Sequence, residues 1–167
     1  NAATAEGGGI YNLGQLTITN STFSDNDGGG GGGSFSNRDS TVVVDSSSFT
    51  GNNAVDGGAV QSAGSVADLR ISNSSLSGNN VDFTGAGIRQ LGGNMVLVSS
   101  TVANNNANLG GDGLVISSGA TTASLINSTI SGNTAPTGGG LQHSSSTVTI
   151  VNSTITDNVA TNSGGGI

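Results

Sequence analysis

The chain of 167 residues has no Cys, no Lys, no Trp and a single Pro. Without Cys no disulfide can staple the fold, although that absence does not fix a compartment. Arg38, Arg70 and Arg89 face ten acidic residues, and the formal net charge is −7. Nucleic acid requires a basic footprint, so no nucleic-acid partner is expected, and attraction to an anionic membrane surface is excluded with it. No apolar run approaches the roughly 18–20 residues of a spanning helix, so no transmembrane segment is expected. Apolar residues make up only 32 %, which would leave a thin core in a spherical domain of this size. The chain starts at Asn1 rather than Met and shows no signal-peptide pattern. It is therefore expected to be a processed form or an excerpt.

What is plentiful is Gly, with 30 residues, together with Ser and Asn, a composition that disordered chains share. Long-range repetition decides against disorder. The seven letters NSTISGN (127–133) return as NSTFSDN (20–26), SSSFTGN (46–52), NSSLSGN (73–79), SSTVANN (99–105) and NSTITDN (152–158). Their closing residues are Asn26, Asn52, Asn79, Asn105, Asn133 and Asn158, and Asn1 fits one step earlier, at intervals of 25 to 28 residues. A second landmark is a Gly-rich tetrad, read as GGGI (7–10), GGGS (31–34), GGAV (57–60), GAGI (85–88), GDGL (111–114), GGGL (138–141) and GGGI (164–167). Its opening glycines, Gly7, Gly31, Gly57, Gly85, Gly111, Gly138 and Gly164, are expected to supply a positive φ or a close backbone approach.

Between landmarks the pattern alternates, as in Leu16-x-Ile18, Val42-x-Val44, Leu69-x-Ile71 and Val148-x-Ile150. Alternation rich in Val, Ile and Thr reads as strand. A repeat near 26 residues is too short for a propeller blade and carries no helix for a leucine-rich repeat. The fold expected is all-β, a right-handed parallel β-helix of about six turns, forming one domain over residues 1–167 with uncapped ends. Right-handedness is the default for parallel crossovers. At about 4.8 Å per turn, six turns span about 29 Å. Most variation in period falls between the tetrad and the long strand, where YNLGQ (11–15) and VISSGATT (115–122) differ in length.

In such a coil equivalent residues lie over one another, so each column must tolerate self-stacking. Four apolar columns are expected inside, headed by Ile10, Leu16, Ile18 and Phe23, with Ser34 and Ala123 as weak points. An Asn side chain offers two donors and an acceptor, so the Asn column can bond to the next turn and to the bend backbone together. Asn also tolerates left-handed φ at a corner. A Ser column (Ser21, Ser47, Ser74, Ser100, Ser128, Ser153) is expected to form a second internal ladder.

FSDN (23–26), FTGN (49–52) and GGAV (57–60) resemble the paired FxxN and GGA[ILV] elements of chlamydial polymorphic outer-membrane adhesins, and residues 7–26 resemble repeats of large bacterial surface-anchored β-helix proteins. That resemblance runs along the whole chain. It implies a secreted or surface-displayed solenoid with structural or adhesive work. Four of the six copies lack Phe at the first position. The polar, Lys-free, repetitive composition points the same way, to an extracellular and bacterial protein.

Chemistry is sparse. Polysaccharide-cleaving sites need clustered Asp with a basic residue, or paired carboxylates. Here the acids sit mostly at variable corners and are expected to be solvated. Asp68 and Arg70 flank Leu69 as outward residues. DGGGGGGS (27–34) lacks the Lys of a phosphate loop, GGDG (110–113) starts no nine-residue calcium repeat, and a lone His143 assembles neither a zinc site nor a triad. No enzyme activity and no cofactor are expected, with weak Ca²⁺ binding at Asp-bearing turns left open. The sequons at Asn20, Asn73, Asn127 and Asn152 follow from the repeat. Beside the Phe23 column stand two hydroxyl ranks: Thr22, Ser48, Ser75, Thr101, Thr129 and Thr154, and Ser24, Thr50, Ser77, Ser131 and Thr156, interrupted by Ala103. If outward, they make a flat surface of the kind ice-binding solenoids use.

NAATAEGGGI (1–10) and NVATNSGGGI (158–167) are one segment in one phase. Copies of the chain stacked end to end are the partner expected first, and surface glycans or host and cell surfaces the second. The function expected is an extracellular structural or adhesive solenoid in a surface fibre. The alternatives are a carbohydrate-binding or polysaccharide-cleaving module and an ice-binding solenoid.

Overall fold

The computed structural model describes residues 1–167 except Ser118 and Ser145, and omits the side chains of Ala120 and Thr121. Ser118 lies in the variable stretch VISSGATT, so that part of the slack falls outside the described residues. The rest forms short parallel strands wound into four sheets, numbered here in the order the chain meets them. Sheet 1 holds Ala2–Ala3, Asp27–Gly31, Asn53–Asp56, Asn80–Val81, Asn106–Ala107, Thr134–Thr137 and Val159–Ser163. Sheet 2 holds Ile10–Asn12, Phe35–Arg38, Val60–Ala63, Ile88–Gln90, Leu114–Ile116 and Leu141–His143. Sheet 3 runs from Leu16–Thr19 through Val42–Asp45, Leu69–Ser72, Gly93–Val98 and Ala120–Ile126 to Thr147–Val151. Sheet 4 stacks the three-residue strands Thr22–Ser24, Ser48–Thr50, Ser75–Ser77, Thr101–Ala103, Thr129–Ser131 and Thr154–Thr156. The architecture is the right-handed parallel β-solenoid that the period predicts.

The expected columns stack in register: Leu16 on Val42, Val42 on Leu69, Leu69 on Met95, and Phe23 on Phe49, Phe49 on Leu76, Leu76 on Val102. Central members such as Val42, Ile71, Leu76, Leu97 and Leu125 are fully buried, whereas Leu16, Phe23, Val148 and Ile155 at the outer turns are only partly covered. Stacking of inward side chains, at about 1.5–3 kcal/mol each when fully buried, explains how a chain this polar sustains a core. The core is a line rather than a ball. Phe23 and Phe49 stack with ring centroids 5.1 Å apart, and Phe35 meets Phe49 edge-on at 5.9 Å.

Phe35 marks a correction. The tetrad reading puts Ser34 in the apolar column and Gly31 at the turn. In the structure Ile10 pairs with Phe35 and Phe35 with Val60, and the left-handed glycine is Gly32, φ +64°. Glycines 28 to 33 carry no side chains to mark register, so the one apolar residue beyond the run sets it. Ser34 is therefore no weak point in that column. Gly7, Gly57, Gly85, Gly138 and Gly164 do have positive φ, but Gly31 and Gly111 do not. A Cβ on Gly111 would crowd Gln142 Cβ and Val115 Cγ2, whereas one on Gly31 would meet only the movable end of the Gln61 side chain.

Two features lie outside the expected columns. A seam of small residues, Ala54, Val81, Ala86, Ala107 and Ala135, forms a second apolar cluster beneath sheet 1. On sheet 2 a further stacked column reads Asn12, Asn37, Ser62, Gln90, Ile116, His143, buried up to Ile116 and exposed at His143.

Candidate functional site

The seven-letter motif is two corners joined by one strand of sheet 4. In NSTISGN the first Asn127 has φ +50° and Gly132 has φ +65°. The equivalent residues Asn20, Ser46, Asn73, Ser99 and Asn152, and likewise Asp25, Gly51, Gly78, Asn104 and Asp157, are all left-handed. The left-handed residue therefore stands one place before each ladder residue rather than on the ladder Asn, as the sequence reading has it. Asn, Asp, Gly and Ser fill these places because short polar side chains or none tolerate that conformation. The sequon residues Asn20, Asn73, Asn127 and Asn152 all stand exposed on the first of these corners.

After each left-handed residue the chain turns a ladder residue inward. Asn52 shows the full pattern. Its Oδ1 accepts from Asn26 Nδ2 at 2.9 Å and Asn26 N at 3.1 Å. Its Nδ2 donates to Asn79 Oδ1 at 3.0 Å and to the carbonyl of Phe23 at 3.1 Å. Every hydrogen-bonding site of the carboxamide is thereby used in a residue with no exposed surface. Links of 2.9 Å continue from Asn1 to Asn26, Asn79 to Asn105, Asn105 to Asn133, and Asn133 to Asn158. A carboxylate could supply neither donor and would place charge in the core. The other corner is a Ser ladder. Ser74 N donates to Ser100 Oγ at 3.1 Å, and Ser100 Oγ donates to the carbonyl of Val98 at 2.7 Å.

With the interior committed to packing and ladders, ligand chemistry falls to the outward faces. Sheet 4 presents its hydroxyl ranks in register with no bulge along six strands. Thr22, Ser24, Thr50, Thr101, Thr154 and Thr156 are exposed, while Ser48, Ser75, Ser77, Thr129 and Ser131 are half-buried and Ala103 is buried. Sheet 2 carries charge: Arg38 pairs with Glu6 at 2.7 Å and Arg89 with Asp56 at 3.0 Å. Ser36 Oγ also donates to Glu6, and Thr84 N and Oγ1 donate to Asp56. Arg70 stands exposed on sheet 3. Sheet 1 presents carboxamides, with Asn53, Asn80 and Asn106 stacked and exposed beside Asp82 and Asn108.

Among the described residues no group of three or more His, Cys, Asp or Glu converges as a metal site. Asp25, Asp27, Asp39, Asp82 and Asp157 are exposed. Asp45 accepts from Ser72 Oγ, Asn73 Nδ2 and Ser46 Oγ at 2.7 to 2.9 Å, and these bonds hold its carboxyl below the usual carboxylate range. Asp68 Oδ1 accepts from Asn94 N and Nδ2.

Asp112 departs from the solvated-corner expectation. It is fully buried, its Oδ2 accepts from Thr134 N at 2.6 Å, and its Oδ1 has no partner. Burial pushes the carboxyl up to about 8, opposed by the backbone N–H groups of Thr134 and Ala86. The sequence did carry a signal. Asp112 occupies the second tetrad position, filled elsewhere by Gly8, Gly33, Gly58, Ala86, Gly139 and Gly165. There a Cβ on Gly33 or Gly58 would strike backbone carbonyls of the next turn.

The ladders, four parallel sheets and single winding agree with the family that the chain matches over residues 4–167, described as a right-handed beta helix region. The chain belongs to that family. No curated protein matches the chain, and no solved structure does. Membership in the β-helix family fixes the fold without fixing a reaction, because the family holds polysaccharide lyases as well as proteins without activity.

Proposed function

We propose that this β-helix is an extracellular structural and adhesive element that builds a surface fibre by end-to-end stacking. The observation that supports it is the constancy of the repeat. Residues 1–10 and 158–167 repeat one sequence in one phase, and the apolar columns and the Asn ladder keep their register from turn to turn between them. Turns that continue one another's sheets and columns in this way can stack on a like copy, and a translational contact between copies that does not close yields a filament. Sedimentation and negative-stain electron microscopy across a concentration series test this. The expected outcome is rods lengthening along the helix axis, and short monodisperse particles at every concentration would remove the fibre.

A second reading, ice binding, draws on the bulge-free hydroxyl ranks of sheet 4. Thermal hysteresis or ice faceting at micromolar protein supports it, and unaltered ice growth removes it. The cleavage reading is checked by incubation with polyuronates with and without Ca²⁺, for which no product is expected.

A further inference from the structure

On sheet 2 a further column alternates with the inward one: Tyr11, Ser36, Gln61, Arg89, Val115 and Gln142 stack in register. Ser36 and Gln61 lie beside the inward Phe35 and Val60 and face outward, yet both are covered, at 1 and 7 % exposed. Ser36 Oγ is 3.1 Å from Glu6 Oε2 and 3.5 Å from Gln61 Oε1. A hydroxyl has one proton to give, and the shorter contact takes it. The lone pairs of Oγ are then left toward the carboxamide, whose Cδ lies one C=O bond, about 1.2 Å, from Oε1. Oxygen and carbon about 3–3.5 Å apart are in near-attack range.

The surroundings suit a reaction between them. Glu6 is fixed by a backbone bridge to Gly31 and by its 2.7 Å ion pair with Arg38, which leaves its other oxygen on Ser36. The Gln61 carboxamide occupies the space a Cβ on Gly31 would fill. Among the described residues it makes no hydrogen bond beyond the 3.5 Å contact. Arg89, on the next turn, is held by Asp56 through Nη1 at 3.0 Å, while its Nε is buried without a partner. A cation with an unused N–H beside the carboxamide favours an oxyanion forming there. Gln142 in the same column has a settled role by contrast. It stacks on Val115, and its Oε1 accepts from Gly111 N at 2.9 Å.

We propose that Ser36 and Gln61 join in an intramolecular ester that cross-links adjacent turns of sheet 2. Ser36 Oγ attacks Gln61 Cδ while Glu6 takes the hydroxyl proton. The tetrahedral centre collapses with cleavage of the Cδ–Nε2 bond, and Glu6 passes the proton to the departing nitrogen. An Oγ–Cδ bond replaces Cδ–Nε2, ammonia leaves, and no other reactant is consumed. Burial of both side chains then keeps water from the ester.

The cross-link stands apart from the fibre and is tested by mass. The folded chain held at neutral pH is expected to become lighter by one ammonia. Cleavage of the unfolded chain after Arg38 and Arg70 places Ser36 in residues 1–38 and Gln61 in residues 39–70. The expected product is these two fragments joined, and hydroxylamine should part them and leave a hydroxamate at position 61. Ser36→Ala should leave them separate, and Glu6→Gln should slow joining about 100-fold or more, with circular dichroism confirming that each variant is folded. Separate fragments from the unsubstituted chain overturn the proposal. So does ammonia loss confined to one fragment, the mark of a succinimide at an Asn, and so does joining that persists in Ser36→Ala.

Discussion

Two corners of the coil face the same problem and solve it differently. Between sheets 4 and 1 the inward residue is Asn in every turn, and each rung donates one Nδ2 proton to the Oδ1 of the next. Between sheets 2 and 3 the column opens in the same way, with Asn12 Nδ2 donating to Asn37 Oδ1 at 2.9 Å. It then decays through Ser62 and Gln90 to Ile116. Asn37 reaches Ser62 Oγ only at 3.3 Å, Gln90 Nε2 turns to the carbonyl of Ala67 at 2.7 Å, and Gln90 Oε1 is left unpartnered. The second corner is also where the repeat changes length, with residues 64–68 joining the strands in one turn and residues 91–92 in the next. A ladder needs a constant backbone frame on both neighbours. Where loop length changes from turn to turn that frame is lost, and local bonds or a plain apolar residue take over.

The comparison can be broken most severely at the regular corner. Asn79→Leu leaves Asn52 N without its acceptor and takes one bond each from Asn52 Nδ2, Asn105 Oδ1 and the carbonyl of Phe49, and should cost about 3–5 kcal/mol, seen as a large drop in the urea midpoint. Asp112 comes next, because it is a buried carboxyl where neighbouring turns use Gly or Ala. Its carboxyl titrates near 8 in the fold against about 3.9 in an unfolded chain, so the folded state binds the extra proton. Its contribution is complete below about pH 4, declines as pH rises and is gone above about pH 8. Asp112→Asn should remove that slope and raise stability at pH 8 by on the order of 2–4 kcal/mol, read from thermal unfolding across pH. Ser100→Ala should cost about 1–2 kcal/mol by leaving Ser74 N without its acceptor. The smallest effect is expected at the irregular corner, where Gln90→Leu removes a group already half-satisfied. A change within about 1 kcal/mol in urea unfolding is predicted, and a loss as large as that of Asn79→Leu would show the two corners to be equivalent.

Much of this was readable from the letters, for a physical reason. Stacking like on like forces each column to repeat, so Asn, Ser and the apolar positions reveal themselves by recurrence. Four features are hidden. Register through residues 28–33 was invisible because glycine has no side chain to declare a face, and Phe35 was misplaced by one step. The left-handed residues were credited to the Asn ladder because Asn suits both roles, and only the backbone separates Asn104 at φ +53° from the ladder's Asn105 beside it. The alanine seam under sheet 1 escaped because Ala54, Ala107 and Ala135 look like ordinary small loop residues unless the corner is already known to be tight. The carboxamide column on sheet 1 is hidden for a related reason: Asn80 and Asn53 directly follow ladder Asn residues and read as duplicates of them.

In every rung Nδ2 points toward the higher-numbered turn, and the backbone N–H donating to the same Oδ1 prevents the amide from flipping over. The row of carboxamide dipoles therefore has a direction, which the Ser ladder shares. A turn laid on the column in the opposite sense would set donor against donor and acceptor against acceptor, so the winding can be extended in one polarity alone.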